Sequence, residues 1–230
     1  MSKDHIFLLG KVFSKETYAD DFISKGKFIC NTLNYFKNYE DKEKNNIGDV
    51  FEGIGGRFTS NSGAKVQING HDIDFKELHF HSNRHLNQNA FCLYGPNVKE
   101  DENITLDTVA DLIRIQDDAK NLGEYFVLIH DTREFIRRMN EHLTALGFDF
   151  KCHCVEYREL SEDFEIPSDQ IGFIKANEYS HQKEFRYLID TGRNTDEAIF
   201  LEIGSISDIS FKIPIDDFNK HFEIRLVENT

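Results

Sequence analysis

Apolar positions along this chain fall mainly in short runs with a period of two, the spacing that puts alternate side chains on opposite faces of a strand. The clearest run covers residues 181–190. There Phe185, Tyr187 and Ile189 share one face, while Gln182, Glu184 and Arg186 share the other. Further strands are predicted over residues 6–12, 27–30, 57–60, 64–68, 71–75, 78–81, 90–94, 125–130, 148–158, 171–176, 199–203, 209–213 and 222–227. Asn69-Gly70 separates two of them and marks a hairpin, because both residues accept a positive φ.

Helical spacing is less common. Residues 14–24 read as a helix with Ser14 as its cap and Gly26 as its stop. A short helix capped by Asn31 or Thr32 runs through Tyr39, with Leu33, Phe36 and Tyr35 turned inward. Residues 107–121 form another, ending before Gly123. Asp131, with Glu134 three residues on, opens a helix that runs to Leu146 and stops at Gly147. Residues 41–56 are polar and glycine-rich and read as a loop. Strands and helices do not alternate as βαβ units. The pattern therefore predicts an α+β fold, strand-rich, with mixed or antiparallel sheets, about three helices and a single domain over residues 1–230.

A chain of 230 residues with 39% hydrophobic and 30% charged side chains is long enough for a substantial core. Its formal charge of −14 repels phosphate backbones, which argues against non-specific nucleic-acid binding. Local basic surfaces are still available around Arg133, Arg137 and Arg138, or around Lys175, Lys183 and Arg186. No apolar run is long enough for a bilayer span or a secretory signal, and the four cysteines contain no C-x-x-C pair. The expectation is a reduced, cytoplasmic setting.

Three groups of residues invite chemistry. His79, His81 and His85, with Glu77 nearby, have the side-chain types of a metal site, although H-x-H on a strand is more often a polar face. Cys152 and Cys154 share a strand face and read as small buried hydrophobes. Gln182 and Glu184 form a Q-x-E pair, for which a solvated ion pair with Arg186 or Lys183 is the ordinary reading. The chemical alternative is glycosyl transfer from NAD. There a carboxylate stabilises positive charge on the ribose while the glutamine orients the acceptor. G-x-S-x-G, P-loop, H-E-x-x-H and G-x-G-x-x-G patterns are missing, and Gly53-Ile54-Gly55-Gly56 lacks the P-loop lysine.

Several segments together resemble a large bacterial family known only as a domain of unknown function. The opening phrase is Lys27 to Phe36 followed by Gly48-Asp49-Val50-Phe51-Glu52, and Phe91-Cys92-Leu93-Tyr94 resembles the family's middle strand. The closing phrase is Phe173-Ile174-Lys175, then Tyr179 to Leu188, of the type Tyr-x-x-Glu-x-Glu-Phe-Arg. Val50 replaces the family's proline, and Gln182 stands at its first glutamate. That second departure makes the segment similar to the Q-x-E turn of mono-ADP-ribosyltransferase toxins.

The resemblance implies an NAD-dependent enzyme, a toxin or antiphage effector, that transfers ADP-ribose to a macromolecular acceptor or to water. Glu184 and Gln182 would be catalytic. Tyr35 or Phe36 would stack on nicotinamide, His5 would face the adenosine side, and Arg186 would also contact NAD. Two other readings stand beside it. One is a non-catalytic binding or regulatory module of a bacterial defence system, acting through a partner protein. In it, Asp49, Glu52, Glu184 and Arg186 form a buried network that fixes the long loop to the sheet. The other is a metal-dependent hydrolase built on the three histidines.

Overall fold

The computed structural model describes residues 5–6, 8–39, 47–98 and 105–223. The first part of the chain forms β1 (His5–Ile6), β2 (Leu9–Phe13), α1 (Glu16–Lys25), β3 (Lys27–Thr32), α2 (Leu33–Lys37) and β4 (Ile54–Thr59). It continues through β5 (Val66–Ile68), β6 (His71–Ile73), β7 (Glu77–His81), α3 (Asn83–Leu86), β8 (Asn89–Tyr94) and β9 (Asn97–Val98). The middle contains α4 (Leu106–Ile113), α5 (Asp117–Lys120), β10 (Tyr125–Ile129), α6 (Thr132–Ala145), β11 (Asp149–Cys154), β12 (Glu156–Arg158) and β13 (Phe164–Glu165). The last part is β14 (Ile174–Ala176), a 3₁₀ turn over Asn177–Gln182, β15 (Glu184–Asp190), β16 (Ile199–Glu202), β17 (Ser210–Pro214) and α7 (Ile215–His221). The fold is α+β and strand-rich, as the alternation predicted. Seven α-helices are described where about three were expected, because four of them are short pieces of four to seven residues; among the described residues only α1, α4 and α6 reach eight.

The main sheet runs β11-β15-β8-β2-β10-β17, with β3 joined to β8 and β16 joined to β3. All of its ladders are antiparallel. The predicted apolar face of β15 is correct: Phe185, Tyr187 and Ile189 pack in the largest core with Phe22, Phe91, Phe135 and Met139. Helices α1 and α6 close that face. Gly26 ends α1 in the left-handed region (φ 62°), a conformation glycine adopts without a Cβ penalty. Asp131 accepts a hydrogen bond from the Glu134 N–H, as its spacing predicted. Ser14, by contrast, does not cap α1, where Lys15 takes that position with no side-chain bond.

Elsewhere tertiary contacts move the predicted boundaries. The predicted helix over 107–121 splits into α4 and α5, because distant side chains take the backbone groups it would use. Tyr94 Oη donates to the carbonyls of Ile113 and Arg114, and Asn219 pairs with both the N–H and the C=O of Ile115. The predicted strand over 148–158 breaks at Val155, whose N–H donates to the Glu184 carbonyl at 2.8 Å. Beyond the break, β12 turns away to pair in parallel with β14. Residues 54–56, predicted as loop, begin β4. The Asn69-Gly70 hairpin is present, with φ of 50° and 79°. Helix α7 follows β17 where no element was predicted, and residues 224–227 of the strand predicted over 222–227 lie outside the described residues.

Gly10 lies where β2 meets β8, and a Cβ there would sit 2.1 Å from the Phe126 ring. Gly10→Ala should therefore destabilise the protein by about 1–3 kcal/mol through overpacking, read as a lower midpoint in chemical denaturation at unchanged slope.

Candidate active site

Strand β8 pairs with β15 along its whole length, from Asn89↔Ile189 to Tyr94↔Glu184. Its other edge is divided. β3 takes one end through Asn31↔Ala90 and Thr32↔Asn89, and β2 takes the other through Gly10↔Tyr94. β2 leaves because it pairs with β10 over all five residues, and β3 leaves because it pairs with β16. Cys92 falls in the fork between them. A cleft of about 580 Å³ opens there.

Residues opposite one another in a ladder share a face. Asn31, Ala90, Cys92, Tyr94, Glu184, Arg186 and Leu188 therefore lie on one side of the sheet. The sequence expected charge on this side, and the structure buries it. Arg186 is 1% exposed and Glu184 7%. The Arg186 guanidinium binds Glu52 through Nη1 and Nη2 (2.6 and 3.1 Å) and Glu184 through Nη2 and Nε (2.8 and 3.1 Å), and Nη1 also donates to the Gly172 carbonyl (2.6 Å). Lys175, on β14, donates from Nζ to Gln182 Oε1 and Glu184 Oε1, both at 2.8 Å, and lies 3.9 Å from Glu52. Two carboxylates thus hold two cations in a charge-balanced square.

The loop before β4 is strapped onto this floor. Besides the Glu52–Arg186 pair, the Asp49 N–H donates to the Phe36 carbonyl (3.2 Å) and Tyr179 Oη donates to the Gly48 carbonyl (2.8 Å). Of the network that the binding-module reading expected, Glu52, Glu184 and Arg186 are joined by ion pairs, whereas the Asp49 side chain, buried beside them, accepts only from the Phe51 N–H.

Burial by itself would raise the Glu184 carboxyl, but Arg186 and Lys175 outweigh it and hold the group well below the usual carboxylate range. The same carboxylates outweigh desolvation at Lys175, which stays protonated. Asp49 has no cation bonded to it. Burial, and then the charge of Glu52, push it up to about 6, and its Oδ2 has no hydrogen-bond partner. The Cys92 thiol contacts Glu184 and is pushed up to about 11, mainly by burial. It is therefore a thiol rather than a thiolate near neutral pH.

Five of the six residues singled out in the sequence line this one cleft: Gln182, Glu184, Arg186, Tyr35 and Phe36. Tyr35 and Phe36 come from α2, which is placed by its cap: Thr32 Oγ1 accepts from the Tyr35 N–H at 3.0 Å, and Thr32 and Asn34 both bind Asp196. Gln182 corrects one expectation. It lies in the 3₁₀ turn rather than on the strand, and Lys183 in the left-handed region (φ 43°) separates it from β15. Lys175, not strand alternation, brings it beside Glu184. His5 is in β1, opposite Val98, and its side chain lies outside the described residues.

The sequence reading missed Lys11 as a site residue. Its signal was a lone lysine inside the apolar strand over 6–12. Its Nζ reaches the Cys92 carbonyl at 2.8 Å and lies 5.3 Å from the centre of the Phe91 ring.

The histidines do not assemble. His79 is bonded to Glu77, His85 Nε2 is 3.3 Å from Ser168 Oγ, and burial pushes His81 down to about 4. Among the described residues no three His, Cys, Asp or Glu side chains form a group able to hold a metal ion. The geometry thus gives the metal-hydrolase reading no ligand set. Arg137 and Arg138 are engaged by Glu134, Glu141 and Asp208, so they offer no open basic surface.

Asp49 yields a pH test. A carboxyl raised in the folded state binds protons that the unfolded chain has already released, so stability falls as pH rises from about 4 to about 6. Asp49→Asn removes that loss. Its stability relative to the parent should increase by about 2–3 kcal/mol across this window, measured by denaturant titration at several pH values. A difference that stays constant with pH would show that Asp49 does not carry the proton.

No helix among the described residues is long and apolar enough to cross a membrane. No family model, curated protein or solved structure matches the chain, so the family resemblance rests on the motifs quoted above.

Proposed function

We propose that the chain is an NAD-using ADP-ribosyltransferase-like enzyme whose active site is the cleft at the sheet fork. The observation that carries this reading is that Gln182 and Glu184 stand side by side on the cleft floor, joined by Lys175, with Tyr35 and Phe36 on the same lining. A volume of about 580 Å³ falls in the range of small-molecule sites, about 300–1,000 Å³. Aromatic walls over a polar floor suit a planar ring joined to a sugar, so the residues fit NAD as a substrate.

In this reaction the bond from the ribose anomeric carbon to nicotinamide breaks, and its electron pair leaves with nicotinamide. The acceptor forms the new bond and releases a proton. Glu184 supplies a fixed negative charge beside the positive charge that develops on the ribose. Being held ionised by Arg186 and Lys175, it acts electrostatically and not as a base. Its oxygens already accept three N–H bonds and the Cys92 thiol. The thiol is the weakest of these donors and lines the cleft, so a ribose hydroxyl replaces it at the smallest cost.

The saturation of Glu184 also favours a second reading, a non-catalytic binding module in which the charge square only shapes the cleft and holds the 47–53 loop for a partner protein. Either way, removing one member strands a buried charge, at a cost of about 3–5 kcal/mol. Glu184→Ala is therefore not neutral to the fold, and Glu184→Gln, assayed well below its own melting temperature, is the better probe.

Nicotinamide release from NAD should be measurable in the parent protein, with or without cell lysate as acceptor. It should fall on the order of 10²–10³-fold in Glu184→Gln. Equal rates in the two proteins would end the catalytic assignment of Glu184. A protein that releases no nicotinamide and that NAD does not stabilise against heat would support the binding module.

A further inference from the structure

Four cations line the cleft: Lys11, Lys27, Lys175 and Arg186. Lys175 and Arg186 are neutralised by Glu52 and Glu184, and Lys27 stands across from Glu202 in the β3–β16 ladder. Lys11 alone has no carboxylate set against it among the described residues. In a protein of net charge −14, a half-buried ammonium facing only a carbonyl and a ring is unusual.

Its position explains what it could receive. In an antiparallel ladder the N–H and C=O of one residue point to the same side. The Cys92 carbonyl points into the fork, where Lys11 meets it, so the Cys92 N–H points there too. Neither neighbouring strand pairs with Cys92: the β3 ladder stops at Ala90 and the β2 ladder is at Tyr94. A mobile ammonium and a fixed backbone N–H therefore converge on the same gap, and both are donors only. One donor held only by a carbonyl and one with no strand opposite it, in a cleft whose other cations are charge-balanced, select an anionic oxygen.

We propose that the β2–β3 fork is a phosphate-binding subsite, in which Lys11 leaves the Cys92 carbonyl to bind a phosphate oxygen of the ligand alongside the Cys92 N–H. The subsite rests on the preceding reading only in taking the cleft as the ligand site. It narrows the ligand to one that carries a phosphate or diphosphate within reach of the Glu184 floor. It also gives the free protein a reason to keep Lys11 in place, since the lysine satisfies the carbonyl that the missing strand would have paired.

Pyrophosphate, ADP-ribose and nicotinamide are the probes, titrated calorimetrically into the parent, Lys11→Met and Lys11→Arg proteins. Met keeps the apolar stem and removes the charge; Arg keeps the charge. We expect pyrophosphate and ADP-ribose to bind the parent and to bind Lys11→Met about tenfold to a hundredfold more weakly. Lys11→Arg should recover most of that loss. Nicotinamide, which has no phosphate, should be indifferent to all three.

An observation on the unaltered protein guards against misfolded variants: the backbone amide resonance of Cys92 should shift on adding pyrophosphate. No phosphate binding by the parent, equal affinity in Lys11→Met, or an unmoved Cys92 amide would each overturn the subsite. Lys11-dependent phosphate binding without any nicotinamide release would keep the subsite and remove the transferase reading.

Discussion

Arg186 is a fully charged guanidinium in the interior, and the surrounding architecture follows from what is needed to keep it there. An isolated ion at that depth is prohibitively costly, so its donors must all be met. Glu52 meets two of them from a loop, Glu184 meets two from the same strand, and the Gly172 carbonyl meets another. Three separate stretches of chain converge because one side chain requires them. Lys175 then balances the second carboxylate and ties in Gln182. Buried pairs of this kind are weak evidence for net stability, since desolvation offsets much of the attraction. What they impose is geometry: a loop, a turn and a strand end held in a fixed relation beside a cavity.

The cavity has its own cause. A sheet that shares one strand between two diverging neighbours must leave a gap where they part. Here β2 is drawn away by β10, and β3 by β16. The gap is at Cys92, next to Arg186 in the ladder, so the charge square and the fork share one cleft. Polar floor, aromatic walls and an unmatched lysine at the fork are the ingredients of a small-molecule site. They separate into a part held rigid by ion pairs and a part, Lys11, held by a single bond to a carbonyl.

Asp49 is the least settled group in this arrangement. It is buried beside Glu52, and one of its oxygens has no donor. The charge square is balanced without it, so its own charge would be surplus. Protonation removes that surplus, which links the strapped loop to pH near 6.

The sequence by itself determined the strand-rich α+β character, because period-two alternation is local. It also determined where α1 stops and where α6 starts, because Gly26 and the Asp131–Glu134 spacing act within one turn. The inward face of β15 was equally legible: Phe185, Tyr187 and Ile189 could bury only together. The motif picked out Gln182, Glu184 and Arg186, and the structure places all three on the lining of one cleft. Alternation could not tell whether their charges were solvated or buried. That depended on Glu52 and Lys175, which reach them from distant stretches of chain. Alternation also put Gln182 on the strand, where the fold makes a 3₁₀ turn and uses Lys175 to bring the two residues together. The split of α4 from α5 likewise came from Tyr94 and Asn219, and the role of Lys11 from a fork in the sheet. Strand order is a non-local property, so only the tertiary structure decided that a lysine in an apolar strand would face an open carbonyl and not a neighbouring chain.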